Sequence, residues 1–183
     1  MGTRFIDLAK LTPPELESLL KQGEPTSPEA LAGFLFHGWS LAMPAPLFSL
    51  FGRFGKTFHR DPATGRVRGW NLRMRQGDDA WTPALFRGRP ITYGHYEVIG
   101  SPGGALAELY PNALLIDYGK GGNRAWDPLG RVRDWVVAVD DDLLVGRMYL
   151  SLGGRQVPTP SYFGLARGEP LTDIIDPPVR TAT

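Results

Sequence analysis

The sequence contains no cysteine among its 183 residues and only three histidines. The absence of cysteine excludes disulfide bonds, thiolate catalysis and cysteine-ligated zinc or iron–sulfur sites, and it favours a cytoplasmic location. The histidines, His37, His59 and His95, form no HxH or HxxxH pair. Because such spacing is typical of metal-binding histidines, we expect no metal centre, and no motif indicates a cofactor.

Long apolar runs and an excess of charge of one sign are also missing. No apolar stretch approaches the ~20 residues that a transmembrane helix needs, and residues 1–20 lack the apolar segment of a signal peptide. The formal net charge is +1, which creates no strong overall field toward nucleic acid or an anionic membrane. We therefore expect no membrane span and no nucleic-acid partner.

Glycine and proline are abundant, at 23 and 17 residues, which favours many short strands joined by turns. The pattern is clearest near the C-terminus. Residues 132–139 alternate in polarity, the acidic turn 140–142 follows, and residues 143–150 are mainly apolar. A last short strand is predicted over residues 162–165. These features predict an antiparallel β-meander.

Short helices are predicted before the strands. Thr12-Pro13-Pro14-Glu15 and Ser27-Pro28-Glu29 each combine a helix-capping residue with a proline in the first turn. The apolar segment 47–54 predicts a helical turn over one mouth of a barrel. Further strands are predicted within residues 30–39 and over 56–60, 66–75, 80–86, 91–99 and 113–118.

The fold expected from these elements is mainly β, with about eight or nine strands closing into a single antiparallel barrel. Residues 1–183 form one domain in this interpretation. Residues 1–33 are a helical cover, residues 34–167 form the barrel, and residues 168–183 are an extended or mobile tail.

Three stretches resemble a bacterial family of unknown function whose members combine a GxWxG segment with a lipocalin-like C-terminal half. Residues 35–38 resemble the GxWxG segment, with Phe36 at the tryptophan position and Phe34 at the first glycine. Residues 54–58 resemble the aromatic-Gly-Lys-x-Phe step of the family, and residues 134–165 resemble its final meander and closing strand. The resemblance implies a calycin-like barrel with an N-terminal helical cover, and it transfers no catalytic residues.

The strongest polar candidate is Asp117-Tyr118, because it ends the apolar strand 113–118. An aspartate at that position needs a partner or access to the barrel mouth. If its pKa is raised, Asp117 is a candidate general base, with Tyr118 and His95 as companions. The alternative is that Asp117 forms an ion pair with an arginine such as Arg133 and fixes the strand ends.

Asp134 presents a similar choice. Strand alternation places Asp134 opposite Arg133 and Trp135, but it does not decide which of the two faces is buried. Aromatic residues on the predicted strands are candidate walls for a ligand, although ordinary core packing is the competing interpretation. The candidates for ligand contact are Tyr93, Phe36, Trp39, Trp70, Trp135 and Tyr149.

The function expected is binding of an apolar or amphipathic small molecule in the barrel cavity. Asp117, Tyr118, His95 or Tyr93 would lie at the polar end of that cavity and orient the ligand. The alternative is a metal-free enzyme, an isomerase, cyclase or lyase that acts on a hydrophobic small molecule in the same cavity. The oligomeric state stays open, with a homodimer among the alternatives.

Overall fold

The computed structural model describes residues 7–42, 52–77, 81–100 and 102–178. Both predicted helix starts are confirmed. The Glu15 carboxylate accepts hydrogen bonds from the backbone N–H and hydroxyl of Thr12, at 2.7 and 2.6 Å, and Ser27 caps the second helix by accepting from the backbone N–H of Ala30. The helices are α1 (Pro13–Gln22), α2 (Pro28–Leu31) and α3 (Ala105–Leu109), with 3₁₀ turns at Tyr118–Lys120 and Pro128–Arg131. No helix in these ranges is long and apolar enough to cross a membrane.

Eight strands close into an antiparallel barrel, which confirms the predicted fold class. Their order around the barrel is β1-β10-β9-β8-β7-β6-β3-β2, and β4 and β5 form a separate two-stranded hairpin. The strands are β1 (Phe34–Ala42), β2 (Arg53–Arg60), β3 (Val67–Arg73), β4 (Leu85–Phe86), β5 (Arg89–Pro90), β6 (Thr92–Ile99), β7 (Leu114–Asp117), β8 (Val132–Asp140), β9 (Leu143–Leu152) and β10 (Arg155–Pro170).

The predicted meander is present, and its last strand is longer than expected. β8 and β9 pair antiparallel across the acidic turn. The predicted strand 162–165 is instead the centre of the 16-residue β10. β10 pairs with β9 over residues 155–166 and with β1 over residues 162–170, so its length spans two partly overlapping ladders. Residues 47–51 of the predicted helical turn lie outside the described residues.

The C-terminal segment does not leave the barrel at residue 167. β10 continues to Pro170, and the backbone N–H of Leu171 donates to the carbonyl of Gly33 at 2.8 Å. Leu171 and Ile175 then pack against a buried outer cluster of Leu35, Trp70, Leu72 and Met74. The described part of the predicted tail therefore covers the outside of β1 to β3.

The connections between strands define two ends of the barrel. The hairpin end carries residues 74–77, 81–91 and 118–131 and the β9–β10 turn at 153–154. The helix end carries α2, α3 and the acidic turn between β8 and β9. Alternating residues of the strands fill the interior with buried apolar side chains, Phe36, Phe58, Tyr96 and Ile116 among them.

Helix α1 packs on the outside of the barrel. Leu16 and Leu20 are buried against the outward-facing Trp135, Val137 and Tyr149. Full burial of a leucine side chain contributes about 1.5–3 kcal/mol, so these two contacts account for much of the docking of α1. Trp135 and Tyr149 consequently belong to a helix–barrel interface and not to the barrel interior.

Candidate functional site

A buried polar cluster of Lys56, Asn71, Tyr118 and Asp134 occupies the interior of the barrel. The Lys56 amine lies 3.0 Å from a carboxylate oxygen of Asp134 and donates to the Asn71 side-chain oxygen at 3.0 Å. Lys56 also contacts the Tyr118 hydroxyl, which donates to Asp134 at 3.1 Å. Lys56 is 1% exposed and Asp134 is 4% exposed, so the pair is removed from bulk solvent.

Strand pairing brings this cluster together. Lys56 of β2 pairs directly with Phe36 of β1 on one side and with Asn71 of β3 on the other, so all three side chains share the inner face. On β8, Asp134 lies between the interior residues Val132 and Val136. The structure therefore answers the question that alternation left open, because Asp134 points inward and Trp135 outward.

Burial and neighbouring charges shift the pKa values of Lys56 and Tyr118. Burial lowers the pKa of Lys56, while the charge and hydrogen bond of Asp134 favour the charged amine. The amine also lies 4.6 Å from the ring centre of Tyr96 and 4.8 Å from that of Tyr118, distances suited to cation–π attraction. Burial and the negative charge of Asp134 raise the pKa of Tyr118 far above its usual range, so its hydroxyl stays protonated.

Tyr93 faces the same interior from β6. It pairs with Asn71, while Tyr96 pairs with Gly69, so β6 has one residue more than β3 between these two pairs. The extra residue forms a bulge at Gly94, whose φ of +57° lies in the left-handed region that glycine tolerates. The bulge allows Tyr93 and Tyr96 both to point inward although they are three positions apart.

The Tyr93 hydroxyl is available to a ligand. Among the described residues, no group forms a hydrogen bond with it. Burial raises the pKa of Tyr93 to about 12, with Arg73 opposing and Asp134 reinforcing the shift. The hydroxyl therefore remains a donor at neutral pH, and it lies within the electrostatic influence of both the buried cluster and an arginine near the barrel rim.

Apolar side chains with some solvent access lie on the hairpin-end side of the cluster. Phe54, Met148 and Leu150 pack against the interior core and are only partly buried. A separate cleft of about 320 Å³ lies at the same end, and it is lined by residues of β6, of the loop after β7 and of the C-terminal segment, Tyr93, His95, Asn123, Trp126 and Asp176 among them. The hairpin end thus carries partly exposed apolar side chains and the Tyr93 hydroxyl, and apolar surface with a few polar groups is the usual composition of a ligand site.

Asn123 holds the loop that forms one side of this cleft. Its side-chain oxygen accepts from the backbone N–H of His95 at 2.9 Å. Its amide group donates to the carbonyl oxygens of His95 and Tyr118, at 2.7 and 2.8 Å. These bonds tie the loop after β7 to strand β6 and fix the position of the cleft wall.

Asp117 and Tyr118 are neighbours in sequence and lie on opposite faces of the wall. The carboxylate of Asp117 lies 3.0 Å from the guanidinium of Arg133 and accepts from the backbone N–H of Gly119 at 2.8 Å. This is the contact that the ion-pair alternative predicted. Tyr118 points inward to Lys56, so the structure does not bring the two candidates into one site, and a catalytic role for Asp117 stays an untested prediction.

His95 lies on the outer face of β6, next to Trp70. The two ring centres are 6.0 Å apart. Burial, together with the positive charges of Arg68 and His59, lowers the pKa of His95 to about 4, so the imidazole is neutral at physiological pH. His95 contributes to the cleft but not to the interior cluster. In the described ranges no three acidic or histidine side chains gather as a metal site.

The six aromatic candidates divide between the two faces of the barrel. Phe36 and Tyr93 point inward. Trp39 and Trp70 point outward because their neighbours along the strand, Gly38 and Asn71, face the interior. Trp135 and Tyr149 are outward under α1. The expectation that all six line one cavity is therefore not met.

Lys56 and Asn71 were not among the candidates from the sequence. A signal for Lys56 exists, since Phe54, Lys56 and Phe58 alternate along one strand and a lysine between two aromatic residues shares their buried face. Asn71 carries no comparable signal, because its inward orientation depends on the register between β2 and β3.

The sequence matches no protein-family model and no curated protein. Among solved structures, it is similar to the crystal structure of a protein from Thermomonospora curvata, with 16% sequence identity and a TM-score of 0.40. The similarity covers 91% of this chain and 95% of that chain.

Proposed function

We propose that the protein binds an amphipathic small molecule at the hairpin end of the barrel. The deeper interior is filled by Phe36, Phe58 and Tyr96, each at most 1% exposed, so the ligand would occupy the rim and not the full length of the barrel. Its apolar part would contact Phe54, Met148 and Leu150, and its polar group would meet Tyr93.

The observation that carries this proposal is the buried Lys56–Asp134 pair. Desolvating two charges costs several kcal/mol per ion, and an apolar filling of similar volume is often as stable or more stable. Core packing alone therefore does not explain why these residues are here. The Lys56–Asp134 pair orients Tyr118 and Asn71 next to apolar side chains that are only partly buried. This arrangement supports recognition of the polar group of a ligand.

A binding assay with a single-atom change tests the proposal. Tyr93→Phe removes only the hydroxyl, which makes no hydrogen bond within the described protein, so stability should change little. We expect binding of the amphipathic fluorescent fatty acid cis-parinaric acid to weaken by about tenfold, the value of one hydrogen bond lost to a ligand.

The matched control is Tyr149→Phe on the outer face, where the hydroxyl contacts Tyr110 at 2.7 Å. This variant should bind the probe as the parent does. Equal probe affinity in the parent and in Tyr93→Phe would show that Tyr93 is not part of the site. No saturable binding of the probe, together with no co-purified molecule by native mass spectrometry, would contradict the proposal as a whole.

The enzymatic alternative uses the same cluster. This alternative requires the reacting group of the ligand to reach past the rim to Lys56. There, an amine whose pKa is lowered by burial, beside a carboxylate and a protonated tyrosine, would exchange protons with a carbonyl or alkene without a metal. Such proton transfers are those that an isomerase, cyclase or lyase requires. If native mass spectrometry identifies a ligand, its conversion by the parent but not by Lys56→Met would distinguish an enzyme from a carrier.

A further inference from the structure

Exposed apolar side chains concentrate at the hairpin end of the barrel. Of the seven large apolar side chains that are strongly exposed in the described part of the chain, five lie there, and Phe86 and Trp126 are the most exposed, at 65% and 75%. The five are Leu85, Phe86, Trp126, Leu152 and Val157.

Arginines lie among these apolar side chains without acidic partners. In the described ranges, Arg87, Arg89, Arg124 and Arg155 are exposed, and none forms an ion pair. Two of them lie over the exposed rings instead. The Arg87 guanidinium is 5.3 Å from the ring centre of Phe86, and that of Arg124 is 5.7 Å from Trp126.

The arginines of the helix end are arranged differently. Arg60 pairs with Glu29, Arg66 with Glu97, and Arg167 with Asp142. The acidic turn 140–142 lies at the same end. A formal net charge of +1 therefore conceals a polarised surface, in which free positive charge collects at one end.

Two described acidic residues, Asp127 and Asp176, line the cleft beside Trp126 and offset part of the positive charge there. The Asp127 carboxylate caps a 3₁₀ turn by accepting from the backbone N–H of Leu129 at 2.9 Å. Asp78 and Asp79 belong to the connection between β3 and β4, and they lie outside the described residues.

We propose that the hairpin end docks on an anionic lipid surface. The arginines would contact phosphate groups while Phe86 and Trp126 enter the interface between headgroups and acyl chains. The exposed aliphatic residues Leu85, Leu152 and Val157 favour a lipid over a nucleic acid, because nucleic acids offer aromatic stacking and phosphates but no aliphatic phase.

The two parts of this surface adjoin each other. Thr92 lies at the border of two clefts, one of about 610 Å³ beside the β4–β5 hairpin and one of about 320 Å³ beside Trp126. The β4–β5 hairpin and the Trp126 loop are therefore neighbours at this end of the barrel. Docking on lipid does not depend on ligand binding in the barrel. If the barrel binds no ligand, the vesicle experiment still tests the docking surface.

Co-sedimentation of the full chain with lipid vesicles tests the docking surface. The vesicles are phosphatidylcholine alone, or an equal mixture of phosphatidylcholine and phosphatidylglycerol. We expect binding to the anionic vesicles only, with an affinity that falls as salt is added. Reversing one arginine, Arg89→Glu, should weaken binding on the order of tenfold. Phe86→Ser should weaken it at every salt concentration, since it removes apolar contact.

Arg60→Glu at the helix end is the matched control, because it changes the net charge by the same amount. It should retain binding, and thermal unfolding should confirm that each variant is folded. Equal losses in Arg89→Glu and Arg60→Glu would overturn the proposal. So would the absence of binding to anionic vesicles, equal binding to both vesicle types, or salt-dependent binding of single-stranded DNA without binding to vesicles.

Discussion

Two polar clusters, one outside the barrel and one inside it, each combine a carboxylate, a basic side chain and tyrosine, but in different structural settings. In the outer cluster, the Glu17 carboxylate of α1 accepts hydrogen bonds from Tyr110, Tyr162 and Arg147 at 2.7, 2.9 and 2.8 Å. Each of these contacts joins the helix to the barrel wall or to the residues that precede β7. The outer cluster therefore has a complete explanation in the docking of α1.

The inner cluster has no such explanation. Lys56, Asn71 and Asp134 belong to strands that backbone hydrogen bonds already hold in place, and Tyr118 directly follows β7. Their interaction docks no further element. A charged group at an interface between elements is accounted for by assembly. The Lys56–Asp134 pair instead joins β2 and β8, which lie on opposite sides of the closed barrel, and a buried pair of this kind is often no more stable than an apolar filling.

Removing one member of the inner pair should produce the largest effect. Asp134→Ala leaves the Lys56 amine buried without its counter-charge, and we expect a loss of about 3–5 kcal/mol in the free energy of unfolding. Urea denaturation followed by tryptophan fluorescence measures it. A loss below about 1 kcal/mol would mean that water reaches the amine and that the pair is not desolvated.

The double variant Lys56→Met/Asp134→Leu sharpens the comparison. It removes both charges and fills the space with apolar atoms, so its stability should equal or exceed that of the parent. Binding of cis-parinaric acid should nevertheless fall. If the double variant is stable and binds the probe with unchanged affinity, the inner cluster is needed neither for stability nor for binding of the probe.

Glu17→Gln should have a smaller effect on stability and none on binding. It keeps the shape and one acceptor but removes the charge facing Arg147, and hydrogen bonds to charged groups contribute about 1.5–3 kcal/mol. We expect a loss in that range by urea denaturation. If the folded Glu17→Gln variant binds the probe more weakly than the parent, the outer cluster affects the ligand site. The two clusters would then not have separate roles.

The comparison also shows what local sequence can predict. The β8–β9 meander and the capped start of α1 depend on residues close in sequence, and both were predicted correctly. The inner cluster depends on the register of β1, β2 and β3 and on closure of the barrel, which places β8 across from β2, and the orientation of Tyr93 depends on a glycine bulge. Alternation along β8 gave two equal interpretations for Asp134, because it fixes relative faces and not which face is buried.

The smallest expected effect is the pH dependence of the outer cluster. Burial disfavours the charged form of Glu17, yet the hydrogen bonds from Tyr110 and Tyr162 and the charge of Arg147 outweigh it, so its pKa is lowered from the usual 4.5. A lowered pKa in the folded state means that the carboxylate stabilises the fold fully above its unfolded pKa. That contribution is lost as pH falls through the folded pKa.

The stability difference between the parent and Glu17→Gln should therefore stay constant near neutral pH and shrink once pH falls below about 4.5. Urea denaturation of both proteins at a series of pH values measures it. Because other carboxylates titrate equally in both proteins, subtracting the two curves isolates Glu17. A difference that stays constant down to the acid limit of folding would mean that Glu17 keeps the same pKa when the chain unfolds, and that the ionised form of Glu17 does not hold α1 in place.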